Sequence, residues 1–119
     1  MKGIILFGHG SRSAEYIRPF ERIREAVLAR EPGAIVELGF LELTRPSLDE
    51  SIECLAGRGV THIVVVPIFI GPGRHVLKDL PQLAAHAMDR HPGLEFSLAA
   101  PIGESQEVID AMADFALRA

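Results

Sequence analysis

Ile4-Ile5-Leu6-Phe7 and Ile63-Val64-Val65-Val66 are the two apolar runs that decide the fold of this sequence. Both are uncharged and rich in branched side chains, which is typical of strands buried on both faces in a parallel sheet. Residues 35–41 form a further apolar run with one charged interruption, and residues 94–98 alternate apolar and polar side chains, as strands nearer an edge do. The sequence therefore predicts four strands, with the first and third in the centre.

Four helical patterns alternate with these strands. The first covers residues 16–31 and either begins or kinks at Pro19, and the second runs from an N-cap at Ser47, in a capping box with Glu50, to Gly57. The third is expected from Asp79 or a little earlier to His91, and the last from near Glu104 through Phe115. Strict alternation predicts a three-layer α/β fold, an open parallel four-stranded sheet with helices on both faces. Right-handed crossovers and the apolar first and third strands favour the strand order 2-1-3-4.

Composition limits the classes of function. The chain has 119 residues, which suits a single domain over residues 1–119, and its net charge of −4 argues against nucleic acid as a partner. The one cysteine, Cys54, cannot form an intrachain disulfide and is expected in the core of the second helix. The first apolar run is too short for a signal peptide or a membrane span, so we expect a cytoplasmic protein without a membrane partner.

Two histidines follow the two central strands. His9 lies in Gly8-His9-Gly10-Ser11-Arg12 after the first strand, and His75 lies in the loop Gly71-Pro72-Gly73-Arg74-His75 after the third. In open α/β sheets, ligands bind beyond the carboxyl ends of the strands where the winding direction reverses, which is between strands one and three in this order. A lone histidine is more often an ordinary surface residue, but two in equivalent positions favour a shared site. The flanking glycines would let a bulky ligand approach the backbone closely.

Charged residues follow the same strand ends. Glu42 comes after the second strand, and its carboxylate could join imidazole nitrogen around a borderline divalent metal, although a solvated loop glutamate is an equal alternative. Guanidinium and ammonium groups in these loops could form a positive rim that binds the carboxylates of a small polyanion, or they could be ordinary surface charge. The residues of this rim are Arg12, Arg45, Arg74 and Lys78. The remaining histidines are expected in structural or surface roles: His62, His86 and His91.

Other motifs do not fit. Histidine phosphatases need an arginine directly before the histidine that follows their first strand, and Gly8 occupies that position. The first loop has neither the spacing nor the lysine of a phosphate-binding loop, and Ser13 replaces the third glycine of a dinucleotide-binding pattern. We therefore expect no nucleotide and no ATP requirement.

Three segments together resemble the small sirohydrochlorin chelatases of the CbiX/SirB type, the class II chelatases. Gly8-His9-Gly10-Ser11-Arg12 is similar to the first signature of that family, and residues 67–81, from Pro67 to Pro81, are similar to the second. Phe40-Leu41-Glu42 followed by Pro46-Ser47-Leu48 is similar to its middle block. One departure is Ile102-Gly103-Glu104, where relatives often have Leu-Gly and then a proline.

The resemblance implies a four-stranded half of the chelatase fold that works as a homodimer. It implies a lyase that inserts Co²⁺, Fe²⁺ or Ni²⁺ into a sirohydrochlorin-type tetrapyrrole for cobalamin or sirohaem synthesis, with His9 and His75 as catalytic residues and metal ligands. Glu42 is the expected third metal ligand. Ser11, in the first signature, joins the four rim residues as a substrate-binding residue. A metal or tetrapyrrole carrier without turnover is the alternative, and the sequence leaves the physiological metal open.

Overall fold

Four parallel strands form one sheet: β1 (Lys2–Gly8), β2 (Val36–Phe40), β3 (His62–Pro67) and β4 (Glu95–Leu98). In this computed structural model, which describes residues 1–71 and 73–119 and only the backbone of Arg74, His75 and Leu77, the strand order is β2-β1-β3-β4. The predicted α/β class and the order 2-1-3-4 are confirmed. The two uncharged runs lie in the centre because a central strand has both of its faces and both of its edges covered.

Helices follow each strand: α1 (Arg18–Arg30), α2 (Leu48–Gly57), α3 (Arg74–Arg90) and α4 (Gln106–Arg118), with a 3₁₀ turn (Ile102–Glu104) before α4. Alternate residues of β1 face opposite layers, as strand geometry requires. Ile5 and Phe7 pack in the layer formed with α2 and α3, whereas Leu6 packs with Phe20 of α1. The sheet thus has helices on both faces, although His62, Val64 and Val66 of β3 are only partly buried.

Local sequence signals fix two helix starts. α1 begins at Arg18 with Pro19 in its first turn, where the missing N–H costs nothing, so the helix begins at this proline and does not kink there. At α2 the predicted capping box is confirmed: Ser47 Oγ accepts from the Glu50 N–H at 3.1 Å, and Glu50 Oε1 accepts from the Ser47 N–H at 2.9 Å.

The start of α3 differs from the prediction. The helix begins at Arg74, before the predicted start at Asp79 or a little earlier. It follows Gly73 in an extended conformation and continues through Pro81. Val76, which precedes the predicted start, is buried in the core with Leu80, and this burial favours the earlier first turn. His75, predicted in a loop, therefore has its backbone in the first turn of α3.

The predicted burial of Cys54 was wrong, because this side chain is exposed. The buried residues of α2 follow the spacing i, i+3, i+4, i+7, and Cys54 lies off that stripe. They are Leu48, Ser51, Ile52 and Leu55.

α4 extends away from the rest of the chain. Each of its residues is described and none is buried, and its contacts are mainly with the preceding 3₁₀ turn. Its apolar side chains Ile109, Met112 and Phe115 are exposed, Phe115 by 69%. Among the helices of the described residues, none has the length and apolar character needed to cross a membrane.

Candidate metal site at the carboxyl edge of the sheet

The loops after β1 and β2 lie side by side beyond the strand ends. The Leu41 N–H donates to the Gly8 carbonyl at 3.0 Å, and the Glu42 N–H donates to the His9 carbonyl at 3.1 Å. These bonds continue the parallel pairing of β1 and β2 past its last register pair, Gly8 with Phe40. His9 and Glu42 therefore leave the sheet at the same level and on neighbouring strands.

The side chains of His9 and Glu42 meet. His9 Nε2 lies 3.1 Å from Glu42 Oε1, and the two side chains are 48% and 55% exposed. An imidazole nitrogen and a carboxylate oxygen are ligands that Zn²⁺, Co²⁺ and Fe²⁺ accept together. The pair is open to solvent, so a metal ion can reach it.

His75 belongs to the neighbouring loop and helix. Beyond β3, the Ile68 N–H donates to the Phe7 carbonyl at 2.8 Å, so this chain segment also continues along β1. Pro72, between Gly71 and Gly73, lies outside the described residues, as do the side chains of Arg74 and His75, so the predicted turn there is untested. Within the described side chains, no group of three or more His, Cys, Asp or Glu residues could hold a metal. His9, Glu42 and His75 as metal ligands therefore stay predictions.

The glycines around His9 are required by the packing of the chain itself, and their role in ligand approach stays a prediction. A Cβ on Gly8 would lie 2.5 Å from the ring of Phe20, which packs there with Tyr16 and Phe40. A Cβ on Gly10, at φ +102°, would lie 1.7 Å from the Glu42 carbonyl oxygen. The two loops can therefore approach this closely only because residue 10 has no side chain.

Ser11 and Thr44 connect the same loops farther out. The Ser11 N–H donates to Thr44 Oγ1 at 2.9 Å, and the Thr44 hydroxyl donates to the Ser11 carbonyl at 2.9 Å. Ser11 Oγ accepts from the Ser13 N–H at 3.1 Å. Sequence reasoning gave Thr44 no role, since a threonine two residues after a glutamate carries no motif of its own.

Of the residues predicted to form a positive rim, Arg45 is engaged in an ion pair within the chain. Arg45 pairs with Glu50 of α2; its Nε donates to Oε1 at 3.3 Å, and a second contact joins Nη2 to Oε2. This hydrogen bond and charge raise the pKa of Arg45 and lower the pKa of Glu50 to about 2. Arg12 and Lys78 are exposed, in the loop after β1 and on α3. The positive charge of Arg45 is thus partly neutralised by Glu50 in the first turn of α2.

The other three histidines lie away from the pair. His62 is the first residue of β3, at the amino end of the sheet, and its Nε2 lies 2.7 Å from Ser97 Oγ. His86 is exposed on α3, and His91 caps the carboxyl end of that helix. The expectation of structural or surface positions is confirmed for these residues.

The 3₁₀ turn lies against the loop after β3. The Gly103 N–H donates to the Phe69 carbonyl at 2.8 Å, and a Cβ on Gly103 would lie 2.0 Å from the Ile70 carbonyl oxygen. The segment that departs from the family pattern therefore supports the loop that leads into α3.

An exposed imidazole and carboxylate in contact at the carboxyl edge of an open parallel α/β sheet form a candidate metal site. The comparison with known families is more specific. The CbiX family model matches residues 3–119, and the chain belongs to the CbiX family.

Curated relatives carry two metal specificities. The chain is 33% identical over 113 residues to the sirohydrochlorin ferrochelatase of Bacillus subtilis, covering 94% of this chain and 43% of the relative. It is 32% identical over 112 residues to the sirohydrochlorin cobaltochelatase of Sulfurisphaera tokodaii, covering 94% and 88%. The chain thus spans half or less of the length of the ferrochelatases it matches.

Solved structures of two similar proteins have the same fold as this chain. A CbiX protein of cobalamin biosynthesis from Marinobacter aquaeolei superposes with a TM-score of 0.87 at 32% identity, covering 99% of this chain and 96% of that one. The sirohydrochlorin chelatase SirB from Bacillus subtilis subspecies spizizenii, in complex with cobalt, gives a TM-score of 0.79 at 33% identity. The match covers 97% of this chain and 51% of SirB, so this chain corresponds to one half of that protein.

Proposed function

We propose that this chain is a sirohydrochlorin chelatase, a lyase that inserts Co²⁺ or Fe²⁺ into a tetrapyrrole without ATP, for cobalamin or sirohaem synthesis. The observation that carries the proposal is the exposed His9–Glu42 pair, 3.1 Å apart at the carboxyl edge of the sheet. Membership of the CbiX family supports it, as do the ferrochelatase and cobaltochelatase relatives. Ni²⁺ is a further candidate, because imidazole and carboxylate also suit that ion.

The chemistry of insertion makes two demands. The ion must exchange its water ligands for ring nitrogens, and two pyrrole protons must leave the ring. His9 and Glu42 can each replace a water on the ion or accept a proton, and His75 at the start of α3 is the proposed third participant. Since the His9 and Glu42 side chains are each about half exposed, the ring can approach the ion from the solvent side.

The carboxylates of the substrate need cationic partners. We propose that Arg12, Arg74 and Lys78 bind them, together with Ser11, because all four lie on the loops or the helix that follow β1 and β3. Arg45 contributes less than the sequence suggested, since its guanidinium is already paired with Glu50.

The active form that we propose is a homodimer. The chain corresponds to about half of several relatives, and its α4 presents the apolar side chains Ile109, Met112 and Phe115 without a covering layer. A second copy of the chain would bury this stripe. We treat residues 1–119 as one chelatase-like domain of that dimer. The cytoplasmic location and the lack of nucleic-acid or membrane partners stay predictions from the sequence.

The direct test is metal insertion followed by absorbance. Purified protein is mixed with sirohydrochlorin and Co²⁺, Fe²⁺ or Ni²⁺, without nucleotide, and the rate is compared with the uncatalysed reaction. A protein-dependent rate for one metal supports the proposal and identifies the preferred ion. A rate equal to the uncatalysed control for all three contradicts it.

The alternative function is a metal or tetrapyrrole carrier. The open position of the His9–Glu42 pair suits a carrier as well, because an exposed pair can release what it binds. Stoichiometric binding of metal or sirohydrochlorin, measured by titration, without any gain in the rate of insertion, would favour the carrier.

A further inference from the structure

We propose that Thr44 is a positioning residue that holds Glu42 against His9 for metal binding. The proposal rests on the metal-binding part of the proposed function. The hydroxyl of Thr44 makes two hydrogen bonds of 2.9 Å to the backbone of Ser11, one as acceptor and one as donor. This side chain thus makes the pair of bonds that a neighbouring strand would make, and it extends the β1–β2 pairing to the outer end of the two loops.

Thr44 also closes a tight turn. Its N–H donates to the Glu42 carbonyl at 2.7 Å, two residues back, with Leu43 between them at φ +65°. A positive φ is unfavourable for a bulky residue, and a three-residue turn of this kind is strained. The bonds of Thr44 to Ser11 therefore oppose the tendency of the turn to open.

The Glu42 backbone is fixed from two sides. On one side its N–H donates to the His9 carbonyl at 3.1 Å, and its own carbonyl lies against Gly10. On the other side, the hydrogen bonds between Thr44 and Ser11 join the loops two residues beyond Glu42 and His9. The carboxylate of Glu42 is held opposite His9 by these backbone contacts, because both side chains are about half exposed and have little packing of their own.

The consequence concerns metal affinity. Two ligands on separate loops bind an ion well only if the loops are already arranged, since arranging them on binding would consume binding energy. Supporting residues behind metal ligands commonly contribute about 10–100-fold to affinity. Removing the Thr44 hydroxyl leaves the Ser11 N–H and carbonyl without this partner and lets the turn at Leu43 relax.

The experiment compares three variants. Thr44→Val keeps the shape and removes the hydroxyl, Thr44→Ser keeps the hydroxyl, and Thr61→Val is the matched control. Thr61 also binds backbone groups through its hydroxyl, those of Met1, but at the amino end of the sheet. Co²⁺ alone is titrated into each folded protein and followed by visible absorbance, together with a thermal melt.

Thr44→Val is expected to weaken Co²⁺ binding at least about tenfold, with Thr44→Ser and Thr61→Val within about twofold of the original protein. Equal Co²⁺ affinity in Thr44→Val and the original chain would overturn the proposal, as would a lower melting temperature with unchanged affinity of the folded protein. The titration needs no sirohydrochlorin. An original chain that binds Co²⁺ but inserts no metal therefore contradicts the chelatase function alone.

Discussion

His9 and Glu42 illustrate how a site forms from residues that local sequence cannot connect. They are 33 positions apart, yet backbone bonds between their loops bring their side chains to 3.1 Å. Neither side chain is buried, so the position of each depends on the loop that carries it. The contact between these side chains therefore depends on Gly10, which lets the two loops approach each other.

Replacing the imidazole of His9 tests whether this side chain takes part in metal insertion. We expect His9→Ala to lower the rate of metal insertion by about 100-fold or more, to the uncatalysed rate, because the ion loses a ligand and the ring loses a proton acceptor. The measurement is the absorbance assay with sirohydrochlorin and Co²⁺. His86→Ala, which removes an exposed histidine from α3, is the control and should keep the original rate. A His9→Ala protein with full activity would show that the imidazole takes no part.

Adding one methyl group at Gly10 tests whether the close approach of the two loops requires a glycine there. Gly10→Ala is expected to lower the free energy of unfolding by about 1–3 kcal/mol, because alanine disfavours φ +102° and its Cβ would meet the Glu42 carbonyl. Urea unfolding measures this change.

Gly57→Ala is the matched control for that experiment. Gly57 is the last residue of α2, and a Cβ there meets nothing within 4 Å, so a gain of about 0.5–1 kcal/mol is expected. The same loss in both variants would contradict the close approach of the loops at Gly10.

At the scale of elements, the amino end of α2 combines a cap with an ion pair. Glu50 accepts from the Ser47 N–H and from Arg45, and these bonds hold its pKa at about 2, below the ordinary value of 4.5. A carboxylate whose pKa is lowered by folding stabilises the fold above its unfolded pKa, and this contribution disappears as pH falls toward the folded value.

We therefore expect Glu50→Gln to cause a small lowering of the melting temperature at pH 7. Glutamine can still cap the helix, so the variant removes the charge and keeps the cap. The difference from the original protein should shrink as pH falls from 4.5 toward 2, and thermal melts at a series of pH values measure it. A difference that is constant over this range would show that the charge of Glu50 has no part in stability.

At the scale of the whole molecule, α4 is the helix that buries none of its own residues within the part of the chain that the structure describes. Ile109, Met112 and Phe115 lie on one side of the helix, while Leu117 points to a different side by helical spacing. We expect the original chain to be a dimer in solution and Phe115→Glu to be a monomer, because a charge on the stripe would be buried in the interface.

Light scattering coupled to size exclusion measures these masses. Leu117→Glu is the matched control, since it places the same charge on the same helix away from the stripe, and it should stay dimeric. A monomeric original chain, or a dimeric Phe115→Glu, would contradict the role of α4 in the dimer.

Prediction from sequence succeeded for features that are periodic or local. The strand order followed from the two uncharged runs, and the α2 cap followed from the spacing of Ser47 and Glu50. It placed the start of α3 too late, because the burial of Val76 depends on tertiary packing, and it was wrong at Cys54, which lies off the buried stripe of its helix. The contact between His9 and Glu42 is observed, whereas the roles of His9, Glu42 and His75 as metal ligands stay predictions.

The sequence by itself determined the element order, the parallel sheet, the family and the strand ends from which the site residues project, because hydrophobic period and motif are properties of neighbouring residues. Only the tertiary structure decided that Glu42 contacts His9, that Gly10 is required by a carbonyl of another loop, and that Thr44 connects the two loops. The physical reason is distance: these contacts join residues more than 30 positions apart, and only the packing of β1 against β2 brings them within the few ångströms that a hydrogen bond requires.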